Sequence, residues 1–148
     1  MQGAEKEIIA SHVAAGDVRI VYWPMLDLGP NSTNAAIAAF CAGEQDPAEF
    51  WRYHDTLFNN QRSVYLAKRD YFMTTATDLG LDGEAFAACY DGDDMRALLE
   101  ALDQTRRSER EVSVRPTFDI AGPSGEPQRI FGSQPFETFD AAIQTKLP

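Results

Sequence analysis

Strand signals in this chain are confined to its two ends, and everything from residue 31 to residue 110 reads as helix. Val18 to Trp23, V-R-I-V-Y-W, is β-branched and aromatic and is closed by Pro24, a pattern that predicts a strand. Two further strands are predicted at Thr117–Ala121 and Gln128–Phe131, joined through P-S-G-E-P as a β-hairpin. A sheet whose strands lie on either side of a long helical block must carry that block as an insertion. The length of 148 residues fits one domain of this kind.

The helices announce themselves through caps and breakers. Ala4 to Ala15 reads as an amphipathic helix, with Ile8, Ile9, His12 and Val13 near one face and Gly16 as its stop. Asn31 or Ser32 is expected to cap a run through Ala42 that Gly43 ends. Asp46 caps the next helix, with Pro47 at its first position and Glu49 completing a capping-box pattern. That helix carries Phe50, Trp51, Tyr53, His54, Leu57 and Phe58. Asp70–Leu79, Glu84–Tyr90 behind Asp82, and Asp93–Arg110 follow, and Pro135 opens a last helix to Lys146. The order is α-β-(helical block)-β-β-α, a single α/β domain with 1–30 and 111–148 as its core and 31–110 as the insertion.

Charge and side-chain chemistry exclude several functions. A net charge of −10 opposes nucleic-acid binding, which needs a basic face to neutralise phosphates. No apolar run approaches the roughly 20 residues that span a membrane. Glu5 and Glu7 do not suit the basic start of a signal peptide. Two cysteines and two histidines, scattered, give no zinc-ligand spacing, so no metal is expected. The D-G-D-D run at Asp91, Asp93 and Asp94 lacks the spacing of an EF-hand and is explained by capping. His54, on an apolar helix face, reads as a structural histidine, and His12 as a surface one. As free thiols Cys41 and Cys89 would behave as small buried hydrophobes.

Several segments together resemble a known family. V-S-V-R-P-T-F (Val112–Phe118) and G-S-Q-P-F-E-T-F (Gly132–Phe139) are similar to the second half of a DsbA-like thioredoxin domain. V-R-I-V-Y-W resembles that family's strand after the active-site helix. C-A-G-E-Q with F-W-R-Y-H-D-T-L-F-N-N-Q (Cys41–Gln61) and D-L-G-L-D-G-E-A-F-A-A-C (Asp78–Cys89) resemble its helical insertion. The resemblance covers nearly the whole chain and implies a thioredoxin-like fold with an inserted all-α subdomain.

It also implies a thiol–disulfide oxidoreductase, in which a thiolate of low pKa at a helix N-terminus attacks a substrate disulfide through a mixed disulfide. The C-x-x-C dithiol of that chemistry is absent from these residues. By the resemblance it would fall just before Met1, and the first central strand would be missing with it. A gene start placed too late, a truncation, or a sheet completed by a second copy would each account for this. No catalytic residue is then expected in this chain, nor dithiol activity from it as it stands. The resemblance assigns substrate holding to a cis-proline loop of Val114, Arg115, Pro116 and Thr117, with Arg115 standing where the family often shows Thr or Val. A guanidinium there would favour a nearby thiolate; read alone, Arg115 is a solvent-exposed arginine. Family members often carry cysteines at the positions of Cys41 and Cys89, which can form a structural disulfide; bonded and free forms both stay open. Implied partners are protein or peptide substrates and a homodimer that completes the sheet, with no cofactor. The family is usually exported, and the location of this chain stays open. Two alternatives remain, a non-catalytic peptide-binding module of the same fold and a glutathione-dependent transferase or isomerase relative.

Overall fold

The structure is a computed structural model that describes residues 3–123 and 125–148; Ser124 of the hairpin turn lies outside the described residues. The chain divides into two compact units, Met1–Tyr22 with Glu111–Pro148, and Trp23–Arg110.

In the first unit, helix α1 (Ala4–Ile8) runs directly into a π-helical turn, Ile9–Val13. Sequence periodicity predicts one regular helix here, but the backbone widens to bonds such as Ala14 N–H to Ile9 O, 2.9 Å. Ile8 and His12, four residues apart and so on one face by helical spacing, both reach the interior, while Ile9 is left exposed. His12, expected at the surface, is only 5% exposed.

Strands β1 (Thr117–Ile120) and β2 (Gln128–Phe131) pair antiparallel, with Phe118 opposite Ile130 and Asp119 opposite Arg129. Alternation decides what each face does. Phe118, Ile120 and Ile130 turn to a core of Ile8, Phe139, Ala142 and Ile143, the last three from helix α8 (Phe136–Gln144). The Phe118 and Phe139 rings meet edge to face at 4.8 Å. On the other face Arg129 donates two hydrogen bonds to Asp119, 2.7 and 3.0 Å.

The predicted strand Val18–Trp23 is not a strand in the structure. Its side chains keep a period of two, Val18 and Ile20 packing on the same core and Val21 exposed. The only sheet among the described residues is nevertheless the β1–β2 pair. Residue pattern produces the alternation of side chains; a ladder also requires a neighbouring backbone, and none of the described residues supplies it.

Gly122, just past β1, lies against the end of α8. A Cβ at that position would stand 2.4 Å from the Lys146 carbonyl oxygen. Backbone cannot yield as a flexible side chain does, so Gly122→Ala is expected to destabilise this unit by about 1–3 kcal/mol, the range for overpacking. Urea unfolding followed by near-ultraviolet signals of this unit reads the change; an unaltered midpoint would show that the approach relaxes freely.

The second unit is all helix: α2 (Pro30–Gln45), α3 (Pro47–Asn59), α4 (Gln61–Val64), α5 (Arg69–Asp78), α6 (Gly83–Asp91) and α7 (Asp93–Ser108). Asp46 caps α3 as expected, its side chain accepting from Ala48 N–H at 2.7 Å, and Asp82 caps α6 from two amides. The rest of the capping box does not form, because the Glu49 carboxylate pairs with Arg52 at 2.6 and 2.8 Å. Helix α2 starts one residue before the expected cap, since Pro30 is preset for a first helical position. It also continues through Gly43, where the missing side chain serves a close approach: a Cβ there would be 3.1 Å from Phe50 Cβ of α3. Tyr53, Phe72, Phe86 and Leu99 are fully buried. The Tyr53 hydroxyl donates to Phe72 O at 2.8 Å, and burial raises its pKa so that it remains a donor. His54 is buried as expected, between the rings of Phe50, Trp51 and Phe58.

Candidate functional site

The loop that leads into β1 holds the residues singled out from sequence. Val114 is 47% exposed and Arg115 is exposed. The Arg115–Pro116 peptide bond is cis. The loop is fastened to the hairpin at two points. Pro116 O accepts from Gly132 N–H at 2.8 Å, and the Thr117 hydroxyl donates to Val114 O at 2.6 Å. Across the ladder Thr117 pairs with Phe131, an apolar side chain that is 52% exposed. Sequence reasoning passed over Phe131. The signal was present, since Ile130 faces the core and a period of two must turn Phe131 outward.

The same unit contains a polar pair of a buried histidine and a partly exposed aspartate. His12 Nε2 meets Asp140 Oδ1 of α8 at 2.8 Å, and the His12 ring stacks on Phe136 at 6.2 Å. His12 lies within the π-helical turn.

In the helical unit, Cys41 of α2 and Cys89 of α6 form a disulfide. Cys41 is 1% exposed and Cys89 is partly exposed. Among the described residues no cysteine is free, so thiolate chemistry has no nucleophile there in the oxidised state. No group of three or more His, Cys, Asp or Glu among the described residues is placed to hold a metal ion.

An ionic clasp fixes the two ends of the helical unit. The Asp103 carboxylate accepts from Leu26 N–H at 3.1 Å, from Arg106 at 2.8 and 2.6 Å, and from Arg107 at 2.8 Å. Asp27 binds Arg106 at 3.0 Å and also binds Arg107. The Trp23 indole donates to Leu102 O at 3.0 Å, and the Arg110 guanidinium lies 4.4 Å over the Trp23 ring. These bonds draw residues 23–30 into the helical unit, which therefore reaches back beyond the block that begins at residue 31 in the sequence pattern. Burial by itself would raise the Asp103 pKa; hydrogen bonds from Arg107, Leu26 N–H and Arg106 outweigh it and hold the carboxyl below its usual range. A cavity of about 450 Å³ opens beside the clasp, with Arg96, Glu100 and Gln104 on its wall.

A family profile described as thioredoxin matches residues 1–145. No curated protein and no solved structure matches the chain.

Proposed function

The chain belongs to the thioredoxin family, and from that premise we propose that it is the substrate-holding part of a thiol–disulfide oxidoreductase of the DsbA-like kind. Its fold is α/β and thioredoxin-like, with a helical insertion. The observation that carries the reading is the loop of Val114, Arg115 and Pro116, with its cis Arg115–Pro116 bond and its exposed Val114, fastened to the hairpin through Pro116 O and Gly132 N–H. Such a loop offers an extended peptide an apolar side chain beside backbone that leads into β1. The chemistry itself belongs to a C-x-x-C dithiol, and residues 1–148 contain none. Protein or peptide is the substrate class, and no helix among the described residues is long and apolar enough to cross a membrane.

A second reading, a module that holds peptides without chemistry, is favoured by one observation: the chain's two cysteines are bonded to each other within the helical unit. In either reading Val18–Tyr22, alternating in burial but without a ladder among the described residues, is the edge at which a second copy would add a strand.

The test combines binding and turnover. An unstructured apolar peptide with its cysteine replaced by serine is expected to shift amide signals of residues 112–117 and 131–133. Val114→Asp should weaken that binding about tenfold, the equivalent of ~1.4 kcal/mol. With dithiothreitol present, the 148-residue chain is expected to precipitate insulin no faster than dithiothreitol alone. Shifts confined to the helical unit would remove the holding role. Turnover by residues 1–148 would remove the assignment of the chemistry to a C-x-x-C. The insulin assay on the protein made from its native locus separates the two readings, since only the oxidoreductase turns over.

A further inference from the structure

We propose that the Cys41–Cys89 disulfide is a redox-responsive fastener whose reduction releases helix α6 while the rest of the helical unit stays folded. Three observations lead there. The bond joins two helices of unequal footing. Helix α2 spans 16 residues and buries Ile37, Ala38, Ala39, Cys41 and Ala42. Helix α6 spans 9 residues and buries Phe86. A helix of that length is marginal in water by itself, isolated helices needing on the order of 12–15 residues, so α6 exists because it is tied down. Its polar ties are solvent-facing. Gln45 exchanges hydrogen bonds with the Asp82 backbone at 3.0 and 2.9 Å, and Arg69 binds Asp91 at 2.7 and 2.6 Å. Exposed contacts of this sort hold weakly, and the anchors left are two rings, Phe86 stacked on Tyr53 at 5.5 Å and Tyr90 against Phe72 at 5.5 Å.

The two sulfurs also differ in access. Cys41 is enclosed, whereas Cys89 sits in a partly exposed residue. A small-molecule thiolate, of the glutathione or dithiothreitol class, attacks Cys89 Sγ. A new S–S bond forms to the reductant, the Cys41–Cys89 bond breaks, and the electron pair leaves on Cys41 Sγ, which takes a proton. A second reductant thiol then attacks the mixed disulfide, releasing the reductant as its disulfide and Cys89 as a thiol. Two electrons pass to the protein. This couple resides in the helical unit and is independent of the loop at Val114–Thr117.

Amide hydrogen exchange on the full chain, oxidised and reduced, tests the release. In the oxidised chain, residues 82–91 should exchange on the timescale of α2. In the reduced chain they should run ahead of α2 by roughly tenfold or more, as expected for a local opening below the global one. A Cys41→Ala/Cys89→Ala chain should match the reduced pattern whether or not dithiothreitol is present. Limited treatment with glutathione, quenched by alkylation, should place glutathione on Cys89. The proposal is overturned if residues 82–91 and α2 exchange together after reduction, if dithiothreitol still alters the double variant, or if glutathione is found on Cys41.

Discussion

Reduction of Cys41–Cys89 is expected to lower the unfolding free energy of the helical unit by about 4 kcal/mol. The two residues are 48 apart in sequence. In the chain-entropy account, a cross-link that closes a loop of that size removes about 4 kcal/mol of freedom from the unfolded chain. The effect is therefore large even though the bond adds little contact in the folded state. For a protein of this size it corresponds to a drop in melting temperature of about 8–16 °C. The far-ultraviolet helix signal reports it directly, because the helical unit contributes most of the helix. Urea titrations of the oxidised chain, the reduced chain and the Cys41→Ala/Cys89→Ala chain should place the last two together, well below the first. A difference under about 1 kcal/mol would mean that the unfolded chain keeps Cys41 and Cys89 close without the bond, and the entropic account would be wrong.

Arg106→Met is expected to cost about 3 kcal/mol. Arg106 is an arginine whose side chain is 3% exposed, and it serves two carboxylates at once. Methionine fills much of the space but takes a buried cation from both Asp103 and Asp27, whose shared guanidinium is then the half-exposed one of Arg107. Truncating one member of a buried ionic group is costly because it strands the other, not because the pair was strongly stabilising. Replacing both members, Asp103→Leu with Arg106→Met, should accordingly recover a large part of the loss. If the double variant is no more stable than Arg106→Met alone, stranded charge is not the reason. The clasp also has an acid limit. The Asp103 pKa is depressed in the folded chain, so its contribution is complete above the unfolded carboxylate value of about 3.9 and is lost as pH falls through the lower folded value. Between pH 5 and 2 the wild-type chain should thus lose more stability than Asp103→Asn; parallel curves would remove Asp103 from the account.

What the sequence made legible was local. Asp46 with Pro47, and Asp82, mark helix starts because capping is decided within three residues. The hairpin is legible for the same reason. Where the outcome depended on distant backbone, local pattern misled. Val18–Trp23 has the residues of a strand, but its partner was never a property of those residues. Gly43 looks like a stop until Phe50 arrives from the next helix and needs the space. The π-helical turn at Ile9–Val13 has no signal in its residues, whose spacing is that of a regular helix. At the candidate site, Arg115 and Pro116 stood out through their surrounding motif, while Phe131 needed the register with Thr117. The clasp was invisible, since Asp27 and Arg106 lie 79 residues apart. For the cysteines, composition left pairing open, and only the placement of α2 beside α6 decided it.

The clasp has a further meaning for how such a chain is assembled. Trp23 and Arg110 are stacked 4.4 Å apart, so the helical unit leaves the chain almost where it enters it. To the residues on either side, everything between is equivalent to a tight turn, and the entropy of joining them grows only slowly with what lies inside. A change of length inside the helical unit therefore leaves its two ends where they are so long as the ring of Trp23 and the guanidinium of Arg110 keep their contact.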